Sequence, residues 1–299
     1  MNDFNEQLKK RVEEIEAVIQ KYLPEESGYQ ATVLKAMNYS ILAGGKRLRP
    51  MLMWETYKLF GGQGKEIEPF MAAIEMIHTY SLVHDDLPAM DNDEYRRGRK
   101  TTHVVFGEAF AILAGDALLN YAFETALKSM DNISAEKIYE IGKALQVLAK
   151  KAGIFGMIGG QTADIEAEMQ DCVSTEQLLF IHEYKTAALI QASMMIGAIL
   201  AGADAEKVEQ IEKCAYDIGI AFQIQDDILD VIGTMEELGK PIGSDEKNNK
   251  QTYVTLNGLE VSRQHVKELS EEAIGIMDTL GGDNVFLKEL VISLIHRSK

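Results

Sequence analysis

Apolar residues recur at three- and four-residue steps along most of the chain, a pattern that predicts amphipathic helices rather than strands. Leu8, Val12 and Ile15 show the pattern in the first predicted helix, residues 3–22, which Pro24 ends. The same spacing predicts ten further helices, at residues 29–43, 50–60, 67–86, 107–130, 134–152, 158–170, 175–202, 205–232, 259–280 and 284–297. We therefore predict an all-α fold.

The connections between these helices are short, and no repeat or low-complexity tract divides the chain. The one long polar interruption is residues 233–251, which are rich in Gly, Lys, Asp and Asn. A loop of that length in a compact helical domain is usually functional or disordered. We predict a single domain over residues 1–299.

Composition narrows the class of protein further. The 299 residues are 46% hydrophobic, which is ample for a large core. The net charge of −17 argues against a nucleic-acid partner, because phosphate backbones select basic surfaces. The 2 cysteines are too few for a disulfide framework, and the N-terminal residues lack the features of a secretory signal. We expect a cytoplasmic protein.

Residues 187–203 are the most apolar stretch. They fall short of the ~20 residues that a membrane span needs, and Gln191 and Ser193 interrupt them. We expect a buried core helix and no membrane insertion.

Two groups of carboxylates lie in apolar helical segments. The first group is Asp85, Asp86 and Asp91, and the second group is Asp226, Asp227 and Asp230. In the second group, Asp226 and Asp230 lie within ~40° of each other on one helix face, and Gln223 stands one turn before Asp226 and Asp227. In the first group, helical spacing would separate Asp85 and Asp91 by ~120°, so only a turn around Pro88 can bring them together.

Carboxylates without a nearby Cys favour Mg²⁺ over Zn²⁺. The alternative, that each group is an acidic patch at a helix end, is weakened because both groups lie in apolar helices. An EF-hand loop starting at Asp91 is excluded, because Arg96 stands where the loop requires glycine.

Basic residues flank both acidic groups in this acidic protein. They are Lys46, Arg47, Arg49, Arg96, Arg97, Arg99, Lys100, Lys185, Lys240 and Lys250. Singly, each can be interpreted as a solvated surface charge, and this alternative stays open for Arg47 and Arg99. Together with Mg²⁺ they describe a site that binds a diphosphate and stabilises it as a leaving group.

These motifs resemble the trans (E)-isoprenyl diphosphate synthase family, and within it the bacterial farnesyl diphosphate synthases. The resemblance covers residues 44–254 in order: Gly44-Gly45-Lys46-Arg47-Leu48-Arg49-Pro50, Asp85-Asp86-x4-Asp91 with Arg96-Arg97-Gly98, Gly160-Gln161-x2-Asp164, Lys185-Thr186, and Phe222-Gln223-x2-Asp226-Asp227-x2-Asp230 with Gly239-Lys240. Three positions depart from the family: Lys100 and Val254 replace frequent prolines, and Ser244 replaces a frequent lysine.

The resemblance implies one large bundle of antiparallel helices around a central cavity, as in isoprenoid synthases, and a homodimer. It implies Mg²⁺-dependent head-to-tail transfer of an allylic group from dimethylallyl or geranyl diphosphate to isopentenyl diphosphate, giving farnesyl diphosphate and diphosphate through an allylic carbocation.

The resemblance also implies residue roles. Asp85 and Asp91, with Asp226 opposite, would hold about three Mg²⁺ on the allylic diphosphate, helped by Asp86, Asp227 and Asp230. Three groups of residues would bind or line the substrates: Arg96, Lys185 and Lys240 for the allylic diphosphate; Lys46, Arg49, His78 and Arg97 for isopentenyl diphosphate; and Thr186 and Gln223 at the reacting centre. The basic C-terminus Arg297-Ser298-Lys299 would close over the site.

Product length would depend on Tyr80 and Ser81, which stand five and four residues before Asp85 in the sequence. Ser81 shares the helix face of Asp85, whereas Tyr80 is ~140° away, so its role follows from the resemblance alone. The competing interpretation is that Tyr80 is a packed core aromatic.

Three other functions remain open at this point. A geranylgeranyl diphosphate synthase would differ in product length. A terpene cyclase is disfavoured, because its second motif contains Asn, Ser and Glu rather than three aspartates. A non-catalytic subunit of a two-chain synthase is also disfavoured, because both acidic groups are intact.

Overall fold

The computed structural model describes residues 2–131, 133–232 and 251–295. The helices are α1 Asn2–Lys21, α2 Ala31–Ile41, α3 Leu48–Leu59, α4 Glu68–Asp85, α5 Thr102–Phe106, α6 Glu108–Leu127, α7 Ala135–Ala152, α8 Met157–Glu168, α9 Thr175–Ile181, α10 Ala188–Leu200, α11 Ala205–Ile232, α12 Tyr253–Asn257, α13 Leu259–Leu280 and α14 Val285–Ile295. A 3₁₀ turn, Lys128–Met130, follows α6, and a π-helical segment, His182–Ala187, joins α9 to α10.

The predicted all-α class is confirmed. Each predicted helix is present, with ends displaced by a few residues, although the π-helical segment interrupts the predicted helix at 175–202. The hydrophobic pattern missed α5, α12 and a two-stranded antiparallel hairpin, β1 Tyr95–Arg96 and β2 Arg99–Lys100. These elements have two to five residues, too few to display a periodicity.

The residues form two compact units. One unit comprises Met1–Trp54 and Gln63–Leu145, and the other comprises Glu55–Gly62 and Gln146–Lys299. The prediction of a single domain over residues 1–299 stays a prediction.

Helix α4 is the centre of the first unit. Its apolar residues surround most of its circumference, and it packs along α6 and against α1 and α2. Gly115 of α6 allows the close approach, because a Cβ atom there would overlap the imidazole of His84. This packing places the C-terminal end of α4, with Asp85, at the edge of a rigid core.

Arg47 is a buried structural cation, with a side chain only 1% exposed. Its guanidinium donates to Glu75 at 2.6 Å, to Glu16 at 2.7 Å and to the carbonyl oxygen of Ile41 at 2.7 Å. The interpretation of Arg47 as a solvated surface charge is wrong. The two carboxylates are 28 and 31 residues away in sequence, so the local pattern gave no sign of them.

In the second unit, every residue of α10 is buried, as predicted for the apolar stretch. Helix α11 packs against α10 on one side and α13 on the other. Gly219 of α11 permits close contact with the π-helical segment that precedes α10, since a Cβ atom there would overlap Ala187. Within the described parts of the chain, no helix has the length and apolar character to cross a membrane.

Asp217 on α11 should make stability depend on pH. Its side chain is fully buried beside Lys213, 2.5 Å away, and burial raises its pKa to about 6. The folded state therefore binds this proton more tightly than the unfolded state, and the free energy of unfolding falls as pH rises from about 4 to 6.

We expect wild type to lose about 2 kcal/mol relative to Asp217→Asn between pH 4.5 and pH 7, because the variant carries no charge to bury. Urea unfolding of both proteins at the two pH values measures this difference. Parallel pH dependences would contradict the assignment.

Candidate functional site

The first acidic group is assembled by a turn at the end of α4. The backbone N–H of Asp91 donates to the carbonyl oxygen of Asp85 at 2.8 Å, and the N–H of Asn92 donates to Leu87 at 3.1 Å. Asn92 adopts a positive φ of 55°, which asparagine tolerates better than most residues. The chain thus folds back at Pro88 and returns Asp91 to the end of the helix, as the sequence required.

Asp86 has a different environment from its neighbour Asp85. It is buried, and Arg96 of the hairpin contacts one of its carboxylate oxygens through Nε at 2.7 Å and Nη2 at 2.6 Å. Burial raises the pKa of Asp86, and the charge of Arg96 opposes this shift. The pair fastens the hairpin to α4. Asp86 as a helper of the metal ligands stays a prediction.

Arg49 and Arg97 form a cationic cluster in the first unit. The Nε of Arg49 is buried and has no hydrogen-bond partner among the described residues. Burial lowers the pKa of Arg49 to about 10; the carboxylate of Glu75 opposes this shift and the charge of Arg97 adds to it. Arg97 donates to the carbonyl oxygen of Gly44, and Gly45 leaves room for its guanidinium, which a Cβ atom would overlap.

The positive charge of this cluster affects the imidazole of His78. Its pKa lies well below the ordinary value, first because of burial and then because of the positive charges of Arg49, Arg97, Arg96 and Arg47. The imidazole is therefore neutral near pH 7. Arg47 and Arg96 have carboxylate partners, so the excess positive charge comes from Arg49 and Arg97, and it would stabilise a bound anion. Lys46 is exposed at the start of the same segment.

Tyr80 is buried, with 6% of its surface exposed, and its hydroxyl has no hydrogen-bond partner among the described residues. Burial and the negative charge of Asp85 raise its pKa to about 12. Ser81 donates its hydroxyl to the carbonyl oxygen of His78 at 2.9 Å.

In the second unit, the π-helical segment presents two predicted site residues. Thr186 donates to the side-chain oxygen of Gln223 on α11 at 3.0 Å, and Lys185 forms an ion pair with Asp164 on α8. Gly160 is required for this arrangement, because a Cβ atom there would overlap the backbone of Tyr184 and Lys185. The structure therefore brings together Lys185, Thr186, Gln223 and the Gly-Gln-x2-Asp motif of α8.

The three aspartates of the second group are not equivalent. Asp226 is half-buried, while Asp227 and Asp230 are buried. Asp227 accepts a hydrogen bond from the backbone N–H of Tyr253 at 2.7 Å and lies 3.8 Å from His182. The sequence reasoning overlooked His182, although it stands one helical turn before Lys185.

Several predicted residues lie outside the described parts of the chain. They are Lys240, Ser244, Lys250 and the C-terminal Arg297-Ser298-Lys299.

The donor set suits Mg²⁺ bound jointly by protein and ligand. No three His, Cys, Asp or Glu side chains within residues 2–131, 133–232 and 251–295 form a group that could hold a metal. The carboxylates supply hard oxygen donors, however, and Mg²⁺ usually takes one or two of these together with substrate phosphates. The residues present fit an ion that arrives with a diphosphate.

Residues 30–285 match the sequence profile described as Polyprenyl synthetase. The chain belongs to this family. A farnesyl diphosphate synthase of Geobacillus stearothermophilus is 42% identical over 292 residues, which cover 97% of both proteins. A geranylgeranyl diphosphate synthase of Cyanophora paradoxa is 44% identical over 266 residues, which cover 89% of this chain and 87% of that protein.

Solved structures of polyprenyl synthetase relatives have the same fold. A geranyltransferase of Helicobacter pylori, complexed with magnesium and isoprenyl diphosphate, matches with a TM-score of 0.81 at 33% identity. The match covers 97% of this chain and 95% of that one. The chain is accordingly a prenyltransferase, and the relatives include synthases of different product lengths.

Asp85→Ala and Asp226→Ala should each lower kcat by roughly three orders of magnitude, because phosphate charge would go uncompensated in the transition state. Diphosphate release at saturating Mg²⁺ measures the effect, with Glu13→Ala, an exposed carboxylate on α1, as the control. Near-normal turnover in either aspartate variant would defeat its assignment as a metal ligand.

Proposed function

We propose that this prenyltransferase condenses isopentenyl diphosphate with dimethylallyl diphosphate and then geranyl diphosphate, releasing farnesyl diphosphate and diphosphate. The observation that carries the proposal is the uncompensated positive charge around His78. Arg49 is charged, its buried Nε has no hydrogen-bond partner among the described residues, and burial together with the charges of Arg49 and Arg97 lowers the pKa of the His78 imidazole. A diphosphate supplies the missing negative charge.

The cationic cluster suits isopentenyl diphosphate, because arginine, lysine and histidine side chains can bind this diphosphate directly, without a metal ion. Lys46, Arg49, His78 and Arg97 would bind the diphosphate through charge and hydrogen bonds. The neutral imidazole of His78 would donate one hydrogen bond without adding a further charge. The aspartates would remain available for the other substrate.

The allylic diphosphate would be bound by Arg96, Lys185 and Lys240, and its Mg²⁺ by Asp85, Asp91 and Asp226, with Asp86 and Asp230 as helpers. Bound Mg²⁺ supplies Lewis-acid neutralisation of the diphosphate as it leaves. The magnesium and isoprenyl diphosphate in the Helicobacter pylori relative support this proposal.

The chain's own residues would prepare the carbon–carbon bond by position and charge. Lys185 would neutralise the departing diphosphate as the carbon–oxygen bond breaks. The double bond of isopentenyl diphosphate would attack the allylic cation beside Thr186 and Gln223, whose mutual hydrogen bond fixes their side chains. The proton lost from the condensed product would pass to the departing diphosphate.

We propose that Tyr80 limits the product to fifteen carbons. Its buried ring would block the path of a longer chain. A twenty-carbon product is the second candidate, supported by the similarity to the Cyanophora paradoxa synthase.

Tyr80→Ala should shift the main product from fifteen to twenty or more carbons, because it removes the aromatic ring. Products made from labelled isopentenyl diphosphate and a five-, ten- or fifteen-carbon starter are sized by chromatography. Tyr80→Phe is the matched control: it keeps the ring and removes only the hydroxyl, so its product should not change. An unchanged product in Tyr80→Ala would defeat the role of Tyr80 in product length.

The same assay tests the competing function of a non-catalytic subunit. Mg²⁺-dependent diphosphate release by the purified chain alone would exclude that function, and its absence would support it.

We further propose a cytoplasmic homodimer, for which the exposed apolar residues Phe110 and Leu113 on α6 offer a surface. Light scattering during size-exclusion chromatography gives the oligomeric state.

A further inference from the structure

We propose that Asp227 is a positioning residue rather than a magnesium ligand, and that it sets the register between the two segments that carry Lys185, Thr186, Gln223 and Asp226. The inference rests on the proposed function for the roles of those four residues. It assigns separate tasks to the adjacent aspartates Asp226 and Asp227.

The π-helical segment and α11 run antiparallel and touch at successive points. Ala187 meets Gly219, where a Cβ atom would overlap it, and Thr186 donates to Gln223 at 3.0 Å. Asp227, one turn beyond Gln223, lies 3.8 Å from His182, one turn before Thr186. His182 and Asp227 therefore form the last contact of this series, and a shift there would displace the other two.

A second interaction holds Asp227 in place. The backbone N–H of Tyr253 donates at 2.7 Å to Oδ2 of Asp227, the same oxygen that faces His182. Tyr253 opens α12, whose capping box joins Thr252 and Thr255, and its hydroxyl contacts Nδ1 of His265 on α13 at 2.8 Å. One carboxylate oxygen of α11 thus accepts a hydrogen bond from α12 and lies beside the π-helical segment.

Burial separates Asp227 from Asp226. His182 and Asp227 have side chains only 5% and 7% exposed, whereas Asp226 is half-buried. Oδ2 of Asp227 already accepts the Tyr253 N–H and faces a buried imidazole, so Asp227 is less accessible to an ion than the half-buried carboxylate of Asp226. Small displacements of Lys185 or Asp226 from productive geometry are costly, because positioning supplies much of the catalysis.

The test compares Asp227→Ala, Asp227→Asn and Asp226→Asn in three measurements: hydrogen exchange at the Tyr253 amide, kcat, and the Mg²⁺ concentration for half-maximal rate. Asp227→Ala should increase Tyr253 exchange at least tenfold and lower kcat at least tenfold, with the Mg²⁺ requirement changed less than twofold. Asp227→Asn keeps an oxygen for the Tyr253 amide, so it should retain amide protection and most of kcat.

Asp226→Asn should do the reverse, raising the Mg²⁺ requirement at least tenfold while leaving Tyr253 exchange unchanged. The proposal is overturned if Asp227→Asn raises the Mg²⁺ requirement as Asp226→Asn does, which would make Asp227 a ligand. It is also overturned if Asp227→Ala leaves Tyr253 exchange or kcat unchanged. Failure of the proposed function itself is distinguishable, because wild type would then release no diphosphate while the exchange result would still stand.

Discussion

Buried positive charge, and the unequal way in which the first unit neutralises it, is the constraint on which the site depends. Arg47 and Arg49 are two residues apart, and each is withdrawn from water in part or in full. Arg47 has two carboxylate partners, whereas the Nε of Arg49 has no hydrogen-bond partner among the described residues. Burying an unpaired charge is costly unless a ligand later compensates it. The fold therefore neutralises Arg47 with carboxylates and leaves the charge of Arg49 to be compensated by a bound anion.

The second unit meets a different requirement, close approach between backbones. Gly160 and Gly219 remove side-chain volume where α8 and α11 contact the π-helical segment. π-Helical turns inside α-helices are frequent at functional sites, because the inserted residue changes which side chains face a given direction. Here the segment carries Lys185 and Thr186. Two glycines and one irregular turn thereby place a cation and a hydroxyl at fixed positions beside Gln223 and Asp164.

The sequence predicted the helices, the turn that returns Asp91 to Asp85, and the family, because each depends on local spacing or on short motifs. It could not predict that Arg47 is buried against Glu16 and Glu75, or that Asp86 forms an ion pair with Arg96. Such partners are chosen by tertiary packing, and helical periodicity does not encode them. The role of His182 could not be predicted for the same reason, since its proximity to the carboxylate of Asp227 depends on how the π-helical segment packs against α11.

The protonation of His78 tests the central claim most directly, because that claim concerns uncompensated charge. The imidazole resonances of His78, assigned by comparison with His78→Gln, can be followed by NMR against pH with and without isopentenyl diphosphate in metal-free buffer. The account predicts a pKa well below the ordinary 6.5 in the free protein and a clear rise when the diphosphate neutralises the arginines. A pKa near 6.5 that the diphosphate does not move would contradict it.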